Sequence, residues 1–488
     1  MADARDVLAA LEDDTDPSVG VAFARLVADY FRDTRGGAGP VSTPLTPAEL
    51  ERRFDEALPV SGRPIEEVLA RIERDILPDC NRLMHPRAMG HQVSAPVAAS
   101  VWTESLTAAL NQSCAVWEMS PVGTMIEARV IRWMCGLAGM PAESGGTFTS
   151  GGTEANFAGL LAARQALMPD AWARGVGPRP PAVVCGEHAH YSVARAVGEL
   201  GIGTDNVVLV PTGSDWGMDT IALTRVLDRL RAEGRVVMAV VATAGSTATG
   251  AFDDLEAIGR ACEERGLWFH VDGSHGASAL LSPRHRERLA GLGRASTIAW
   301  DPHKMMLMPL TASVVLARRE DDLERAFSQS APYLFHARQG RNWDQGLRSF
   351  SCSRRADALK VWVALQRYGA AGLGALYERL CETCSQLHDL VVSRPAFRAA
   401  HVPASNILCF RFVGDRGEDD PGLDDLNLRL RSTYNQGGDG WITTTVLGGR
   451  RVLRATIMNP RTETGDLVRL LDGLERTAGT LAGRRGGC

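Results

Sequence analysis

The sequence of 488 residues, 45% hydrophobic and 23% charged, has the composition of a soluble globular protein with two or three lobes. Its net charge of −5 gives no reason to expect nucleic acid or an anionic membrane as a partner. No apolar run approaches the roughly 20 residues that span a bilayer, and the first residues lack a signal-peptide pattern, so we expect a cytoplasmic protein.

Residues 1–88 are predicted to form helices separated by loops. Hydrophobic periodicity predicts amphipathic helices over residues 21–32 and 65–76, and Thr46 followed by a proline marks a further helix start. These helices are too separated to form a core of their own. We therefore interpret residues 1–88 as a helical dimerisation segment that packs on the main body or on a partner subunit.

Residues 89–370 change from an apolar, helical pattern to alternating short strands and helices. The predicted strands cover residues 183–185, 207–210, 236–242, 267–271, 297–300 and 312–317. This alternation predicts an α/β fold, in which helices cover both faces of a mainly parallel central sheet. Ligands of such folds bind outside the carboxyl ends of the strands. We expect this stretch to be the large domain.

A smaller C-terminal α/β domain is predicted for residues 371–488, after a helix that ends at Gly369. Its predicted strands cover residues 407–412, 441–446 and 451–457, and a final helix covers residues 463–478. Lys360, on the helix before Gly369, is interpreted as a surface residue. Cys381 and Cys384 form a single Cys-x-x-Cys motif within a helical pattern. Because there is no second such motif, no metal site is predicted.

Lys304 stands out because the sequence otherwise avoids lysine. Of 53 Lys+Arg residues, only Lys304 and Lys360 are lysine. Arginine can replace lysine in most surface roles, but its guanidinium is not a usable amine nucleophile near neutral pH. Lys304 also follows a predicted strand and leads into an apolar run, which argues against the alternative of an ordinary surface lysine. The hypothesis is that Lys304 carries a carbonyl cofactor as an imine.

Two other predicted strand ends carry residues suited to a flat, heteroaromatic cofactor. Asp272 follows the strand 267–271, where a carboxylate could keep a ring nitrogen protonated; the alternative is a cap for the glycine-containing turn that follows. His190 lies after the strand 183–185, where an imidazole could stack on a ring; the alternative is a residue that merely begins the next helix.

Residues 149–156 form a small-residue turn that opens a helix. Small side chains let the backbone approach a ligand closely, and the free N–H groups at a helix start can bind phosphate. A Gly-Gly-Thr sequence can also simply cap a helix, so this motif alone does not establish a phosphate site. Together with a stacking histidine, a carboxylate and an imine-forming lysine, it completes the set of groups needed for pyridoxal 5′-phosphate (PLP).

The sequence also resembles the group II pyridoxal-dependent decarboxylases, which include glutamate, cysteine sulfinate, diaminobutyrate and aromatic amino acid decarboxylases. The resemblance runs from about residue 86 to residue 457. It rests on an ordered set of motifs at residues 110–112, 117–121, 149–156, 189–192, 269–272, 301–304, 333–335 and 354–360. It implies the fold type I architecture of PLP-dependent transferases, a homodimer and an α-decarboxylase that releases carbon dioxide and a primary amine.

The resemblance also implies a role for individual residues. Lys304 is the Schiff-base lysine, Asp272 is the pyridinium partner and His190 is the ring-stacking residue. Tyr333 matches the tyrosine of a mobile catalytic loop, about residues 326–345, that returns a proton to Cα. The remaining positions are assigned to the phosphate (Gly152, Thr153 and His303), the cofactor ring (Thr247 and Ser274), the substrate carboxylate (Arg354) and the substrate side chain (Gln92 and Ser94).

Some positions depart from the family pattern and leave the reaction and the substrate open. Gly273 and Ser274 replace the usual Ala-Ala beneath the ring, and Ser353 replaces a common glycine. Tyr333 favours simple decarboxylation, whereas phenylalanine there favours oxidative deamination. We expect a small acidic or polar amino acid substrate. The alternatives are an aromatic substrate, another PLP reaction such as transamination or elimination, and a non-catalytic scaffold.

Overall fold

The computed structural model describes residues 4–327, 331, 335 and 342–483. The chain divides into two compact units. The smaller unit comprises Met1–His91, Asp389–Ala400 and Cys409–Cys488, and the larger unit comprises Gln92–His388 and His401–Leu408. The N-terminal helices thus group with the C-terminal strands, and the three-part division by sequence stays a prediction.

The chain forms 15 α-helices within the described residues. In chain order they are α1 (Ala4–Asp13), α2 (Pro17–Arg35), α3 (Pro47–Phe54), α4 (Ile65–Arg71), α5 (Ala98–Leu110), α6 (Pro121–Leu137), α7 (Gly152–Leu167), α8 (Ala171–Arg174), α9 (Ser192–Glu199), α10 (Thr220–Ala232), α11 (Leu255–Arg265), α12 (Asp321–Ala326), α13 (Ala358–Ser393), α14 (Leu423–Gln436) and α15 (Thr464–Gly483). Thr46 caps α3 through a reciprocal capping box with Glu49, as its sequence predicts. None of the described helices combines the length and apolar character needed to cross a bilayer.

The strands form two sheets. In chain order they are β1 (Gly145–Thr149), β2 (Ala182–Gly186), β3 (Val207–Val210), β4 (Val237–Thr243), β5 (Trp268–Asp272), β6 (Thr297–Trp300), β7 (Ser313–Ala317), β8 (Phe397–Ala399), β9 (Ile407–Phe412), β10 (Thr443–Leu447) and β11 (Arg450–Thr456). The large sheet has the order β1-β7-β6-β5-β4-β2-β3, and the small sheet has the order β10-β11-β9-β8.

The large sheet is mainly parallel. Strand β2 runs parallel to β3 and β4, and β5 runs parallel to β4 and β6. Only β7 reverses direction, pairing antiparallel with β6 and β1. The predicted α/β class and mainly parallel sheet are confirmed.

Strand β1 is absent from the sequence prediction, which describes that stretch as helical. Its sequence begins Gly145-Gly146-Thr147, and glycine is a poor strand former. A Cβ on Gly146 would lie 2.4 Å from the carbonyl oxygen of Val315, so only glycine fits against β7. The strand is therefore determined by tertiary packing rather than by local propensity.

Helix α7 packs tightly against the centre of the large sheet. Its Ala155, Ala158 and Leu161 belong to the same buried apolar cluster as Val183 of β2 and Val241 of β4. Small side chains on this face allow the helix axis to approach the strands closely. This packing fixes the first turn of α7 beside the carboxyl ends of the parallel strands.

The prediction of Lys360 as a surface residue is wrong. Lys360 on α13 is fully buried, and its Nζ donates to the carbonyl oxygen of Thr311 at 2.6 Å. It also lies 2.5 Å from a carboxylate oxygen of Glu104 and 3.0 Å from one of Asp357. Three acceptors around one ammonium explain how a charged group can be buried at this position.

Candidate active site

A cavity of about 320 Å³ lies in the larger unit at the carboxyl ends of the parallel strands. Segments that follow β1, β2, β4, β5 and β6 all contribute to it. Its lining includes all the residues predicted to bind the cofactor, namely Gly152, Thr153, His190, Thr247, Asp272, Ser274, His303 and Lys304. The fold therefore brings together residues that are spread over about 150 positions of the sequence.

The first turn of α7 forms one wall of the cavity. Its N-cap residue, Gly151, provides no side-chain acceptor for the free N–H groups of that turn. A Cβ on Gly152 would lie 2.5 Å from Ser274 Oγ and 2.8 Å from Asp301 Oδ2, so glycine permits this close approach. An open helix N-terminus of this kind suits a phosphate group.

Asp272 ends β5 on the floor of the cavity and is buried. Its Oδ1 accepts from the backbone N–H of Ser274 at 3.2 Å, and its Oδ2 accepts from Asn156 Nδ2 at 3.0 Å. Burial by itself would raise the pKa of Asp272, but the charge of Lys304 and hydrogen bonding from Ser274 and Asn156 outweigh it and lower that pKa. Asp272 is therefore a carboxylate at neutral pH.

Lys304 follows β6 in a turn that also contains an aspartate. The ammonium of Lys304 lies 2.9 Å from Oδ2 of Asp301, whose side chain is 1% exposed. The other carboxylate oxygen of Asp301 accepts from Ser313 Oγ at 2.5 Å. Asp301 thus holds the Lys304 amine at the cavity surface.

Two histidines line the cavity, one in the segment after β2 and one in the segment after β6. His190 Nδ1 lies 2.8 Å from Ser192 Oγ, and His303 Nδ1 donates to the carbonyl oxygen of Ala312 at 2.7 Å. Burial lowers the pKa of both imidazoles. Both rings are therefore neutral at physiological pH, as required of a ring that stacks on a flat cofactor without adding charge.

These groups fit PLP. Ser274 Oγ is buried at the cavity and has no hydrogen-bond partner among the described residues, so a ligand can satisfy it. The α7 N-terminus provides a phosphate seat, Asp272 provides a negative charge for a pyridine nitrogen, and Lys304 provides a primary amine. The residues present are therefore complementary to the phosphate, the ring nitrogen and the aldehyde of that cofactor.

The predicted substrate residues lie outside the cavity lining. Ser94 is buried, and its Oγ donates to the carbonyl oxygens of His303 and Met308 at 3.0 and 3.3 Å. Gln92 is partly buried, and its Nε2 has no partner among the described residues. Roles for these two side chains in substrate binding stay predictions.

Arg354 is also not brought to the cavity. Its Nη2 lies 2.6 Å from Glu127 Oε1 and donates to Thr147 Oγ1 at 2.8 Å, while Nη1 donates to the carbonyl oxygen of Cys114 at 3.1 Å. The guanidinium is buried and already paired with an acid, so it differs from the free substrate ligand that the resemblance implies. Its role toward the substrate stays a prediction. Tyr333 and most of the predicted loop at 326–345 lie outside the described residues.

The sequence reasoning missed several lining residues. Asp301, Asn156, Thr243 and His275 all line the cavity. The position of Asp301, three residues before Lys304, was a usable signal, because an acid at that spacing meets the amine in one turn. Asn156 lies within the motif 149–156 but was not separated from the phosphate seat. His275 bonds through Nε2 to Asn406 of the same unit, a contact that sequence spacing does not reveal.

Comparison with known proteins agrees with this geometry. Residues 47–413 match the family model described as the pyridoxal-dependent decarboxylase conserved domain. The chain is 35% identical over 439 residues to L-2,4-diaminobutyrate decarboxylase of Rhizobium meliloti, covering 87% of this chain and 84% of the relative. It is 33% identical over 371 residues to acidic amino acid decarboxylase GADL1 of Bos taurus, covering 75% and 71% of the two chains.

Solved structures give the same result. The crystal structure of mouse CSAD superimposes with a TM-score of 0.88 at 30% identity, covering 95% of this chain and 99% of that chain. The likeness therefore extends over both units rather than over the cavity alone. By family match, sequence identity and site geometry together, the chain belongs to the pyridoxal-dependent decarboxylase family and is a PLP-dependent amino acid decarboxylase.

Proposed function

We propose that the protein removes the α-carboxylate of a small acidic or polar L-amino acid and releases the primary amine. The observation that carries this proposal is the meeting of three groups in one cavity. These are the Lys304 amine, the ionised Asp272 carboxylate and the open N-terminus of α7. PLP, when bound, supplies a conjugated ring that takes up the electron pair left on Cα as carbon dioxide departs.

Lys304 is the proposed attachment point for the aldehyde of the cofactor. Its Nζ lies 2.9 Å from Asp301 Oδ2, which fixes where the amine points. The exposed fraction of the Lys304 side chain is 19%, so the amine can be reached from the cavity. Lys304 or Tyr333 is the proposed proton donor to Cα after carbon dioxide leaves, with Tyr333 assigned from the family resemblance alone.

Asp272 and His190 are the proposed partners of the ring. An Asp272 carboxylate with a lowered pKa keeps a proton on the ring nitrogen, and that proton strengthens the ring as an electron acceptor. His190 is neutral because burial lowers its pKa, and its flat imidazole would stack on the cofactor ring. Thr247 and Ser274 are the proposed neighbours of the ring, and Ser274 Oγ has a free bonding position for it.

The first turn of α7 is the proposed phosphate seat. Gly152 and Thr153 supply backbone N–H groups of the helix start, and His303 lies on the same lining. The helix dipole adds favourable electrostatics for an anion at this end. The phosphate would then anchor the cofactor while its aldehyde end is held at Lys304.

The chemistry of the lining supports a small acidic or polar substrate. Apart from the histidine rings, no aromatic side chain of the described residues lines the cavity, and Leu310 is its one large apolar residue. The relatives named above act on L-2,4-diaminobutyrate and on acidic amino acids. An aromatic substrate is the second candidate within the same reaction class.

The test is a panel assay with the purified, PLP-loaded protein. Aspartate, glutamate, cysteine sulfinate, 2,4-diaminobutyrate, phenylalanine, tyrosine and tryptophan would be compared by carbon dioxide release and by mass spectrometry of the amine. We expect kcat/KM to be highest for a member of the first four. A preference for an aromatic substrate would overturn the substrate class, and aldehyde with ammonia as the main products would overturn simple decarboxylation.

Lys304→Arg is the matched variant for the role of Lys304. Arginine keeps the positive charge beside Asp301 but cannot form an imine, so we expect kcat to fall by at least roughly 1,000-fold. A rate within about tenfold of the unmodified protein would contradict the assignment. The visible absorption of bound PLP provides a second measurement, because it should shift to that of the free aldehyde.

We also propose that the protein works as a cytoplasmic homodimer. Trp102, Leu106 and Leu110 follow one another at four-residue spacing on α5 and are 39%, 54% and 53% exposed. An apolar stripe of this kind on one helix face favours burial against another chain. The cysteines in the described part of the chain form no disulfide, which is typical of a reducing compartment.

A further inference from the structure

A chain of polar groups begins at Asp272 and Asn156, which both line the cavity, and runs from there into the protein interior. Its members come from β5, β6 and α7. Trp268 Nε1 lies 3.0 Å from Thr297 Oγ1, which lies 2.9 Å from His270 Nδ1. His270 Nε2 lies 2.9 Å from Asn156 Oδ1, and Asn156 Nδ2 lies 3.0 Å from Asp272 Oδ2.

The Asp272 end of this chain fixes the direction in which hydrogen bonds are donated, and the Trp268 end is compatible with that direction. The indole nitrogen of Trp268 can only donate, so Thr297 Oγ1 accepts from it and keeps one proton that it can direct to His270 Nδ1. At the other end, a carboxylate can only accept, so Asn156 directs its Nδ2 amide to Asp272. Asn156 Oδ1 then faces His270 and must accept. His270 therefore carries its proton on Nε2.

The opposite tautomer of His270, with the proton on Nδ1, could form one hydrogen bond but would create a more unfavourable contact elsewhere. A proton on Nδ1 could be donated to the backbone carbonyl of Thr297, an interaction that favours a charged ring. His270 Nε2 would then need a donor, and Asn156 would have to turn its amide over. Its Oδ1 would face the Asp272 carboxylate, leaving two acceptors in contact inside the protein. The negative charge of Asp272 thus selects the Nε2–H form.

A branch of the same chain reaches His190. Asn156 Nδ2 also donates to Ser192 Oγ at 2.9 Å, so the Ser192 hydroxyl proton is free to point to His190 Nδ1 at 2.8 Å. The backbone N–H of Ser192 is directed to the same nitrogen at 3.3 Å. With two donors aimed at Nδ1, His190 also carries its proton on Nε2.

The interior leaves little freedom for these groups to rearrange. Asn156, Ser192, His270 and Thr297 are each at most 1% exposed. Gly159, one turn after Asn156 on α7, makes room for the imidazole, because a Cβ there would lie 2.6 Å from His270 Cε1 and Nδ1. Polar groups that are both enclosed and fully paired adopt one arrangement.

We propose that Asn156 and His270 are positioning residues that hold Asp272 as a correctly oriented carboxylate and His190 as its Nε2–H tautomer. The inference rests on the proposed roles of Asp272 and His190 toward the cofactor. Neither Asn156 Oδ1 nor His270 needs to touch a substrate for this role. The pKa of His270, lowered by its burial to about 4, agrees with a neutral ring.

The first test measures the two tautomers by NMR at pH 7.5 in protein with 15N-labelled histidine side chains. Signals of His190 and His270 would be assigned with His190→Gln and His270→Gln. We expect both rings to be neutral with the proton on Nε2, in the PLP-free and the PLP-loaded protein. A proton on Nδ1 of His270, or a doubly protonated ring, would overturn the inference.

The second test measures the dissociation constant of PLP and the His190 signal in variants. Asn156→Leu and His270→Phe should weaken PLP binding by roughly tenfold or more, since each removes a hydrogen bond from the chain that positions the Asp272 carboxylate. Asn156→Leu should also shift the His190 nitrogen signals. His270→Gln can still donate to Asn156 Oδ1, so it should restore PLP affinity to within about threefold of the unmodified protein.

Asn427→Leu is the matched control. Asn427 is also fully buried, and it bonds to the backbone of Phe412 in the smaller unit. This variant should lose stability but keep the PLP affinity and the His190 signal. Equal effects of Asn427→Leu and Asn156→Leu on these readouts would overturn a specific positioning role, as would unchanged readouts in Asn156→Leu. Absence of decarboxylation together with the expected tautomers would instead overturn the proposed function alone.

Discussion

Asp272 and His270 occupy alternate positions on β5, and their environments set opposite electrostatic demands. Asp272 is charged because Lys304 and hydrogen bonding from Ser274 and Asn156 compensate for its burial, whereas His270 is enclosed without a carboxylate in direct contact. Burial lowers the pKa of His270 from 6.5 to about 4. A single strand therefore supplies both a charged residue for the cavity and a neutral residue behind it.

This difference predicts how stability depends on pH. Between pH 6.5 and about 4, the unfolded chain takes up a proton on His270 that the folded chain does not, so folding stability falls as pH falls. The full loss is about 3 kcal/mol, and above pH 6.5 the effect vanishes. Urea unfolding at several pH values would measure it. His270→Gln should show a shallower slope, by up to about 1.4 kcal/mol per pH unit, and an unchanged slope would contradict the prediction.

Much of the site could be predicted at the residue scale, with a clear limit. Lys304, Asp272 and His190 were found because each follows a predicted strand, and parallel strand ends meet at one edge. Asn156 and His270 were not distinguished, because the two residues are 114 positions apart in the sequence and only the packing of α7 on the sheet brings them together. The enclosure of Arg354 by Glu127 could not be predicted for the same reason.

At the scale of elements, α13 is tied to α5 by a buried ion pair. Lys360 on α13 meets Glu104 on α5, and Asp357 and the carbonyl oxygen of Thr311 complete its surroundings. Burial raises the pKa of Asp357, and the nearby ammonium of Lys360 opposes that effect. Removing the cation leaves acids that have lost their compensating charge.

Lys360→Met should therefore destabilise the protein by about 3–5 kcal/mol, the usual cost of breaking a buried pair on one side. Urea unfolding at pH 7.5 would measure the free energy of unfolding. The control is Arg229→Met on α10, which breaks an exposed pair with Glu233 just after that helix and should cost less than about 1 kcal/mol. Similar losses of unfolding free energy in the two variants would show that burial does not make the Lys360 ion pair more important for stability than an exposed pair.

Element prediction succeeded where local signals agree with packing. The apolar runs of β2, β4 and β5 and the caps of α3 are recognisable in the sequence, because burial and capping leave characteristic residue types. Strand β1 was missed because glycine is uncommon in strands. The burial of Lys360 was missed because a lysine on a helix is usually exposed. Each is explained by a contact with a segment more than 40 residues away.

At the scale of the whole molecule, the exposed apolar face of α5 predicts self-association. Leu106→Glu combined with Leu110→Glu should shift the protein from dimer to monomer, because two charges would be buried in the interface. Sedimentation velocity at micromolar concentration would measure this. Ile221→Glu on α10 is the control, since that residue is 64% exposed but lies elsewhere on the chain. A double variant that sediments as the unmodified protein does would exclude this face as the interface.

The scarcity of lysine has a practical consequence for chemical work on the enzyme. The two lysine side chains differ sharply, since Lys360 is fully buried and ion-paired whereas Lys304 opens to the cavity. Borohydride reduction of the PLP-loaded protein would therefore mark a single side chain permanently. A lysine-directed acylating reagent applied to the native, PLP-free protein would meet the same side chain, which makes it a natural handle for active-site titration by mass spectrometry.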